Sequence, residues 1–434
     1  MSILGTYANL EENINVIRDS SISKLVNFNS NSKTPIHRWY YFKEGFSHEL
    51  VEQVIDEFFY NNGTNEILDP FCGSATTLVT AQTHKIKSIG FEINPFLAFV
   101  SKVKTSNNIN IKKFNEDSKR VITYAKRINV KKNPEAPELS SFRKVFEKNN
   151  LQKLLVLKEA ISNISYKKNR DLLKLALASI IEESSKIKKY GKGLRLVEKD
   201  VKDPFSLFSE KCSIMIEDLK NNGYRAVSTV KNQDARKIGN LSGEKTNLVM
   251  FSPPYINSFD YNEIYKLELW LLDFVKNYSQ FRKLSKKTIR SHLSGEYETN
   301  GFNHPLVDEI KQKLSKQNLW SDKIPSMIKA YFSDMNEVFA GLSKILKTNT
   351  TVVFVVGNSS YGGVPIATDL LLTDIAQKNG FIVEEIRIAR KLTTSSQQLK
   401  NYKKGRKKYL RESMVILKKG DLYAKCRNNR GKNS

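Results

Sequence analysis

Glu66-Ile-Leu-Asp-Pro-Phe-Cys-Gly-Ser-Ala-Thr-Thr77 is the stretch on which the fold turns. Glu66 to Leu68 is a short strand, and Asp69-Pro70 ends it. Gly73 can take backbone angles closed to other residues, and Ser74 and Ala75 keep the turn uncrowded where the chain swings from strand into helix. The helix runs through Gln82, and Ser88-Ile-Gly-Phe-Glu-Ile follows as a second strand carrying Glu92 and then Asn94-Pro95. Strand, tight turn, helix, strand is a βαβ unit, so its sheet is expected to be parallel.

Upstream, residues 1–34 are polar and weakly patterned and read as an N-terminal arm. Ser47 is placed as an N-cap, because Leu50, Val51, Val54, Ile55 and Phe58 follow at helical spacing. Downstream, residues 106–225 are Lys-rich and mostly helical, notably 151–164 and 171–189, and read as an insertion within the α/β unit. The α/β pattern resumes at Ala226 to Val230, with Asp234 just beyond. It continues at Asn247 to Phe251, which leads into Ser252-Pro-Pro-Tyr255. A second insertion, 256–325, precedes a helix near 326–347, a strand over 351–356, a helix over 366–378 and strands at 381–388 and 414–417. The core is thus assigned to 35–105, 226–255 and 326–420, with a basic tail over 421–434.

Composition narrows the class. The 434 residues carry 71 Lys plus Arg against 45 Asp plus Glu, a formal charge of +26, which points to a polyanionic partner. Hydrophobic residues at 40% and aromatics at 10% supply a core, so wholesale disorder is excluded. Cys72, Cys212 and Cys426 are too scattered for a disulfide framework and lack zinc-site spacing, so no metal is expected. The first residues show no secretory pattern, and no apolar run approaches the ~20 residues of a membrane span. A cytoplasmic, reducing compartment is the expectation.

Two groups of residues carry chemistry. At the first, an acid about 20 residues beyond a Gly turn, here Glu92, suits the hydroxyls of a ribose, so a nucleoside-containing cofactor is expected at the strand ends. A turn with one glycine argues against a dinucleotide. At the second, Ser252-Pro253-Pro254-Tyr255 follows an apolar strand and so sits at the carboxyl edge of the sheet. Two prolines fix φ at about −65° and remove two N–H donors, which leaves a stiff, acceptor-rich loop. Ser252 Oγ and the Pro253 carbonyl suit the two N–H bonds of an exocyclic amine, and Tyr255 offers a face on which an extruded base can stack.

Leu68 to Thr77 resembles the S-adenosylmethionine (AdoMet) motif of Rossmann-like amino-methyltransferases, commonly D-P-F-x-G-x-G-T, with Ala75 where the family usually has Gly. Together with Ser252-Pro-Pro-Tyr255, the chain resembles DNA amino-methyltransferases. The Ser-first loop is most similar to those making N4-methylcytosine in restriction–modification systems. The resemblance implies a class I methyltransferase sheet, mostly parallel with one antiparallel strand near the C-terminus, elaborated by helical insertions. It implies AdoMet held by Asp69, Pro70, Phe71, Gly73, Ser74, Thr76, Thr77, Glu92, Ile93, Asn94, Asp234 and Ala235, with Glu92 at the ribose and Asp234 near the adenine amine. The aromatic segment 37–42, through Trp39 and Tyr40, is similar to the one that closes over the methionine end.

The expected partner is double-stranded DNA, with a cognate restriction endonuclease implied by family alone. Candidate DNA contacts are Lys189, Lys192 and Arg195 in the first insertion, and Asn257, Asp260 and Tyr261 after the catalytic loop. Lys403, Lys404, Arg406 and Lys407 in the basic segment 400–411 complete the set. N6-adenine methylation, an RNA amino-methyltransferase and a non-catalytic nucleic-acid-binding protein remain as alternatives. C5-cytosine chemistry needs a thiolate, and no Cys follows a Pro in this chain.

Overall fold

The computed structural model describes residues 2–60, 65–128, 142–191, 193–221, 225–242, 245–299, 301–392 and 406–421. Seven strands of the main sheet follow in chain order: β1 (Glu66–Asp69), β2 (Lys87–Phe91), β3 (Ser228–Lys231), β4 (Thr246–Phe251), β5 (Thr351–Gly357), β6 (Phe381–Lys391) and β7 (Arg411–Lys419). They lie in the order β6-β7-β5-β4-β1-β2-β3. β7 runs antiparallel to both neighbours, and the other pairs among them are parallel. This is the Rossmann-like class I methyltransferase sheet. Its order reverses between β1 and β4, so their carboxyl ends open a crevice, the place where ligands bind in open α/β sheets.

Parallel strands buried on both faces must be apolar throughout, and all seven residues of β5 are buried. The period of two splits them between layers. Val352, Phe354 and Val356 face the helices Ile324–Ile345 and Thr368–Lys378. Val353 and Val355 face the helix His48–Phe58. Ser47 caps that helix by accepting from Leu50 N–H, and Leu50, Val51, Val54 and Ile55 form its buried stripe.

Two regions differ from the sequence reading. Within the arm 1–34, Val16–Arg18 adds an eighth strand, parallel to β6, and the helix Ile3–Glu12 buries Ile3 and Tyr7 against the core. A three-residue strand is too short to show a period. In the first insertion, four helices (Ile111–Arg127, Lys148–Ser162, Lys167–Ile180 and Pro204–Asn221) pack together. The expected helix over 171–189, however, stops at Ile180, and Ile187–Tyr190 pairs with Gly193–Leu196 as a β-hairpin. Among the described residues no helix is long and apolar enough to cross a membrane.

Candidate active site

The carboxyl ends of β1 to β4 border one cavity of about 950 Å³ that opens to solvent. Twelve of the fourteen residues expected at the cofactor line it: Asp69, Pro70, Phe71, Gly73, Ser74, Thr76, Thr77, Glu92, Ile93, Asn94, Asp234 and Ala235. The turn after β1 is held from within, because Phe71 N–H donates to Asp69 Oδ1 at 2.9 Å. Glu92 accepts from Gly73 N–H (3.1 Å) on one oxygen and from Asn94 N–H (2.8 Å) on the other, tying the β2 end to the turn. Burial pushes the Glu92 carboxyl up to about 8 against those hydrogen bonds, and burial likewise raises Asp69 to about 7.

These features fit AdoMet. Gly73 sits at φ +50°, and a Cβ there would approach Phe42 Cζ at 3.0 Å, so the turn is a cradle that only glycine leaves open. Ser74 Oγ is buried on the cavity wall with no hydrogen-bond partner among the described residues. Glu92 presents an acceptor suited to ribose hydroxyls. Ala75, where the related motif has Gly, takes the left-handed conformation (φ +69°) as the helix Thr76–Thr83 begins. Such a backbone costs an alanine ~1 kcal/mol, which is the physical reason for glycine at that position. Cys72 packs against Gly90, and burial holds its thiol far above the range of a reactive thiolate.

Trp39 and Tyr40 are corrections. The buried Trp39 donates its Nε1–H to Asp218 of the first insertion at 2.9 Å, and Asp218 also accepts from Ile36 N–H and from Arg38. Tyr40 OH donates to the buried Glu268. Neither borders the cavity. After a tight turn at Ile36, where His37 N–H donates to the Pro35 carbonyl, Trp39 is held by the first insertion and Tyr40 by the second. Phe42, Glu44, Gly45 and Phe46 from the same segment line the cavity in their place. Asp234 borders the cavity, but Arg236 occupies both its oxygens and bridges it to the buried Asp334.

The loop 287–292 of the second insertion is a wall that sequence reasoning missed. Lys287, Thr288, Ile289, Ser291 and His292 border the cavity, while Arg290 turns away and clamps Asp334. No spacing signal marks this loop, because its anchor is a carboxylate 44 residues away.

A second, more polar cavity of about 560 Å³ adjoins the first. Ser252, Glu44, Gly45, Phe46 and Tyr261 border both. Pro254 faces the first cavity, Tyr255 faces the second, and Pro253 is buried between them in the loop. The Tyr255 hydroxyl donates to Glu412 Oε1 at 2.7 Å, and Arg390 Nε donates to the other Glu412 oxygen. Sheet register aligns these groups: Arg390 pairs with Glu412, and Glu412 with Gly357. The Tyr255 ring lies so close on Gly357 that a Cβ there would sit 2.8 Å from it. Burial pushes the Tyr255 phenol well up, reinforced by the Glu412 carboxylate and opposed by a Ser252 hydrogen bond.

Comparison with known proteins finds likeness to methyltransferases. Residues 11–103 match the family model of N6- and N4-type enzymes described as DNA methylase. The Type II methyltransferase M.BsoBI of Geobacillus stearothermophilus is 28% identical, over 91% of this chain and 88% of its own length. The Type II methyltransferase M.AvaI of Nostoc sp. is 26% identical, over 85% and 84%. The chain is thus similar to DNA amino-methyltransferases over most of its length. A solved rRNA methyltransferase, AviRa from Streptomyces viridochromogenes, aligns over 90% of this chain and 87% of its own. At 9% identity and a TM-score of 0.30, that superposition is too loose to bear on activity. The match to a DNA methylase family model implies AdoMet as the cofactor.

The expected nucleic-acid contacts separate. Asn257 and Tyr261 line the second cavity, with Tyr261 stacked on Phe42 and edge-on to Phe259. Asp260 caps the helix Tyr261–Ile264 and faces His292 at 3.6 Å, so it anchors the loop. Lys189 is a correction: it is buried in an ion pair with Glu268, over the Tyr265 ring, because hairpin alternation turns it inward. Arg195 and Lys407 are exposed. Lys192, Lys403 and Lys404 lie outside the described residues, and Arg406 is described by its backbone alone, in the short helix Arg406–Tyr409.

Proposed function

We propose that this protein is a site-specific DNA methyltransferase that methylates the exocyclic N4 amine of a cytosine extruded from duplex DNA. It acts as the modifying half of a restriction–modification system alongside a cognate endonuclease. The observation that carries the reading is that Ser252 borders both cavities: the cofactor cavity on one side and a more polar cavity on the other. The Type II relatives favour DNA as substrate, and the Ser-first loop favours cytosine over adenine.

When bound, AdoMet supplies a methyl group on a positively charged sulfur. Ser252 Oγ and the Pro253 carbonyl accept the two amine N–H bonds. This opposes delocalisation of the nitrogen lone pair into the ring and aims it toward the cofactor side. Asp69, the turn at Gly73 and Glu92 would hold AdoMet, which would supply its methyl group to the nitrogen and leave as the neutral thioether, and one N–H proton would then pass to solvent. Glu412, fixed by Arg390, holds the Tyr255 hydroxyl and thereby sets the ring that faces the base. Buried Cys72 supplies no thiolate for C5 chemistry.

Mass spectrometry of nucleosides, after incubation with unmethylated duplex DNA and deuterated AdoMet, tests the reading. Labelled N4-methylcytosine is expected. Labelled N6-methyladenine would overturn the base and keep the mechanism. Label confined to a parallel RNA digest would overturn DNA as substrate.

A further inference from the structure

The paired strands Ile187–Tyr190 and Gly193–Leu196 have two unlike faces. Their register pairs Lys188 with Arg195 and Tyr190 with Gly193, and Lys189 with Leu194. Cross-strand partners share a face, so Lys188, Tyr190 and Arg195 stand together opposite Ile187 and Lys189. On the inner face Ile187 is buried and Lys189 is held by Glu268 and the Tyr40 hydroxyl, while Leu196 at the strand end stays exposed. The outer face is open. Tyr190 is 55% exposed, and the Arg195 guanidinium stacks 4.3 Å from its ring centroid. Around Gly191 and Gly193 nothing would lie within 4 Å of an added Cβ, so the tip projects from the body.

The tip stands beside the second cavity. Lys43 donates to the Gly191 carbonyl, and the strand Gly193–Leu196 packs on the helix Tyr261–Ile264. Lys43 and Tyr261 both line that cavity. A projecting tip with an exposed aromatic, two cations and a rigid base matches what a distorted duplex offers: phosphates for the cations and an open base step for the ring.

We propose that this hairpin enters duplex DNA next to the target nucleotide, and that the stacked Tyr190–Arg195 pair fills the space left by the extruded base. The proposal rests on the reading that the protein methylates an extruded base in DNA. Filling that space offsets the stacking lost on extrusion, so the contribution of Tyr190 is largest when the target is paired and smallest when extrusion costs little.

The test measures kcat/KM of wild type and Tyr190→Ala on two duplex oligonucleotides. Both carry the site that wild type labels in unmethylated plasmid DNA. In one the target base is paired; in the other it faces an abasic position. Tyr190→Ala is expected to lose tenfold or more on the paired duplex and less than threefold on the abasic one, with AdoMet affinity unchanged. Tyr190→Trp is expected to keep wild-type rates on both. Equal losses on the two duplexes, or no loss on either, would overturn the wedge. Absence of label in plasmid DNA with wild type would instead overturn DNA methylation itself, and the wedge with it.

Discussion

The largest continuous share of the cofactor cavity's lining comes from residues 69–77 and 92–94, whereas the adjoining cavity gathers residues 26–27, 43–46, 252–261, 355, 390 and 412. The first is one βα turn and the next strand end, so neighbours in the chain are neighbours in space. The second is made by register, since Glu412 reaches Tyr255 only because β7 runs antiparallel between β5 and β6. Local encoding makes the cofactor side robust and recognisable. Assembly across the sheet makes the target side dependent on distant strands. If the two sides are separate machines, substitutions on one should spare the other.

The sharpest break is Ser252→Ala, expected to lower methyl transfer at least ~100-fold while changing AdoMet affinity less than twofold, measured by turnover and calorimetry. Parallel loss of cofactor affinity would erase the distinction. Next, Glu92→Ala is expected to weaken AdoMet binding ~30- to 100-fold with the rate at saturating AdoMet nearly kept, as for a lost pair of hydrogen bonds to a charged group. Asp69→Ala should also weaken AdoMet first.

The same carboxyl predicts a pH dependence. Its position near 8 means the free protein holds Glu92 protonated below that pH, while ribose hydroxyls donate to the ionised form. AdoMet affinity should therefore rise with pH up to about 8, by up to ~10-fold per unit, then level off, with a proton released on binding. Calorimetry in buffers of different ionisation enthalpy reads this directly, and Glu92→Gln should flatten the part of the slope above pH 7.

On the other side, Glu412→Ala and Tyr255→Phe should each cost about tenfold in turnover and leave AdoMet affinity alone. The double variant should lose little more than either single one, because both cut one hydrogen bond. Additive losses would show that Glu412 does not act through Tyr255. The smallest effect is expected at Ala75→Gly. Relief of the left-handed backbone and loss of a buried methyl oppose each other, so unfolding free energy should move by less than ~1 kcal/mol.

Where the sequence reading failed, a distant partner had overridden a local pattern. The aromatic run 39–42 offers four rings of similar character, and which one faces the cofactor cavity depends on Asp218, nearly 180 residues away, capturing Trp39 and leaving Phe42 for the cavity. Ile187-Lys-Lys-Tyr190 reads as a charged helix end, yet its burial alternates, because a hairpin turns Lys189 toward Glu268 and Tyr190 toward solvent. The Lys287–His292 wall has no signature, since Arg290 is placed by Asp334 on another helix.

The sequence by itself determined the βαβ start, the cofactor turn with Glu92, and the strand that delivers Ser252-Pro-Pro-Tyr255. These rest on short-range backbone preferences: glycine where the turn is tight, proline where the loop is stiff, and apolar runs where strands are buried. Only the tertiary structure decided that β1 and β4 lie side by side, that Ser252 borders two cavities, and that Arg390 and Glu412 hold Tyr255. Those facts follow from strand order and register, which are set by burying both faces of one sheet at once and so belong to no single segment of the chain.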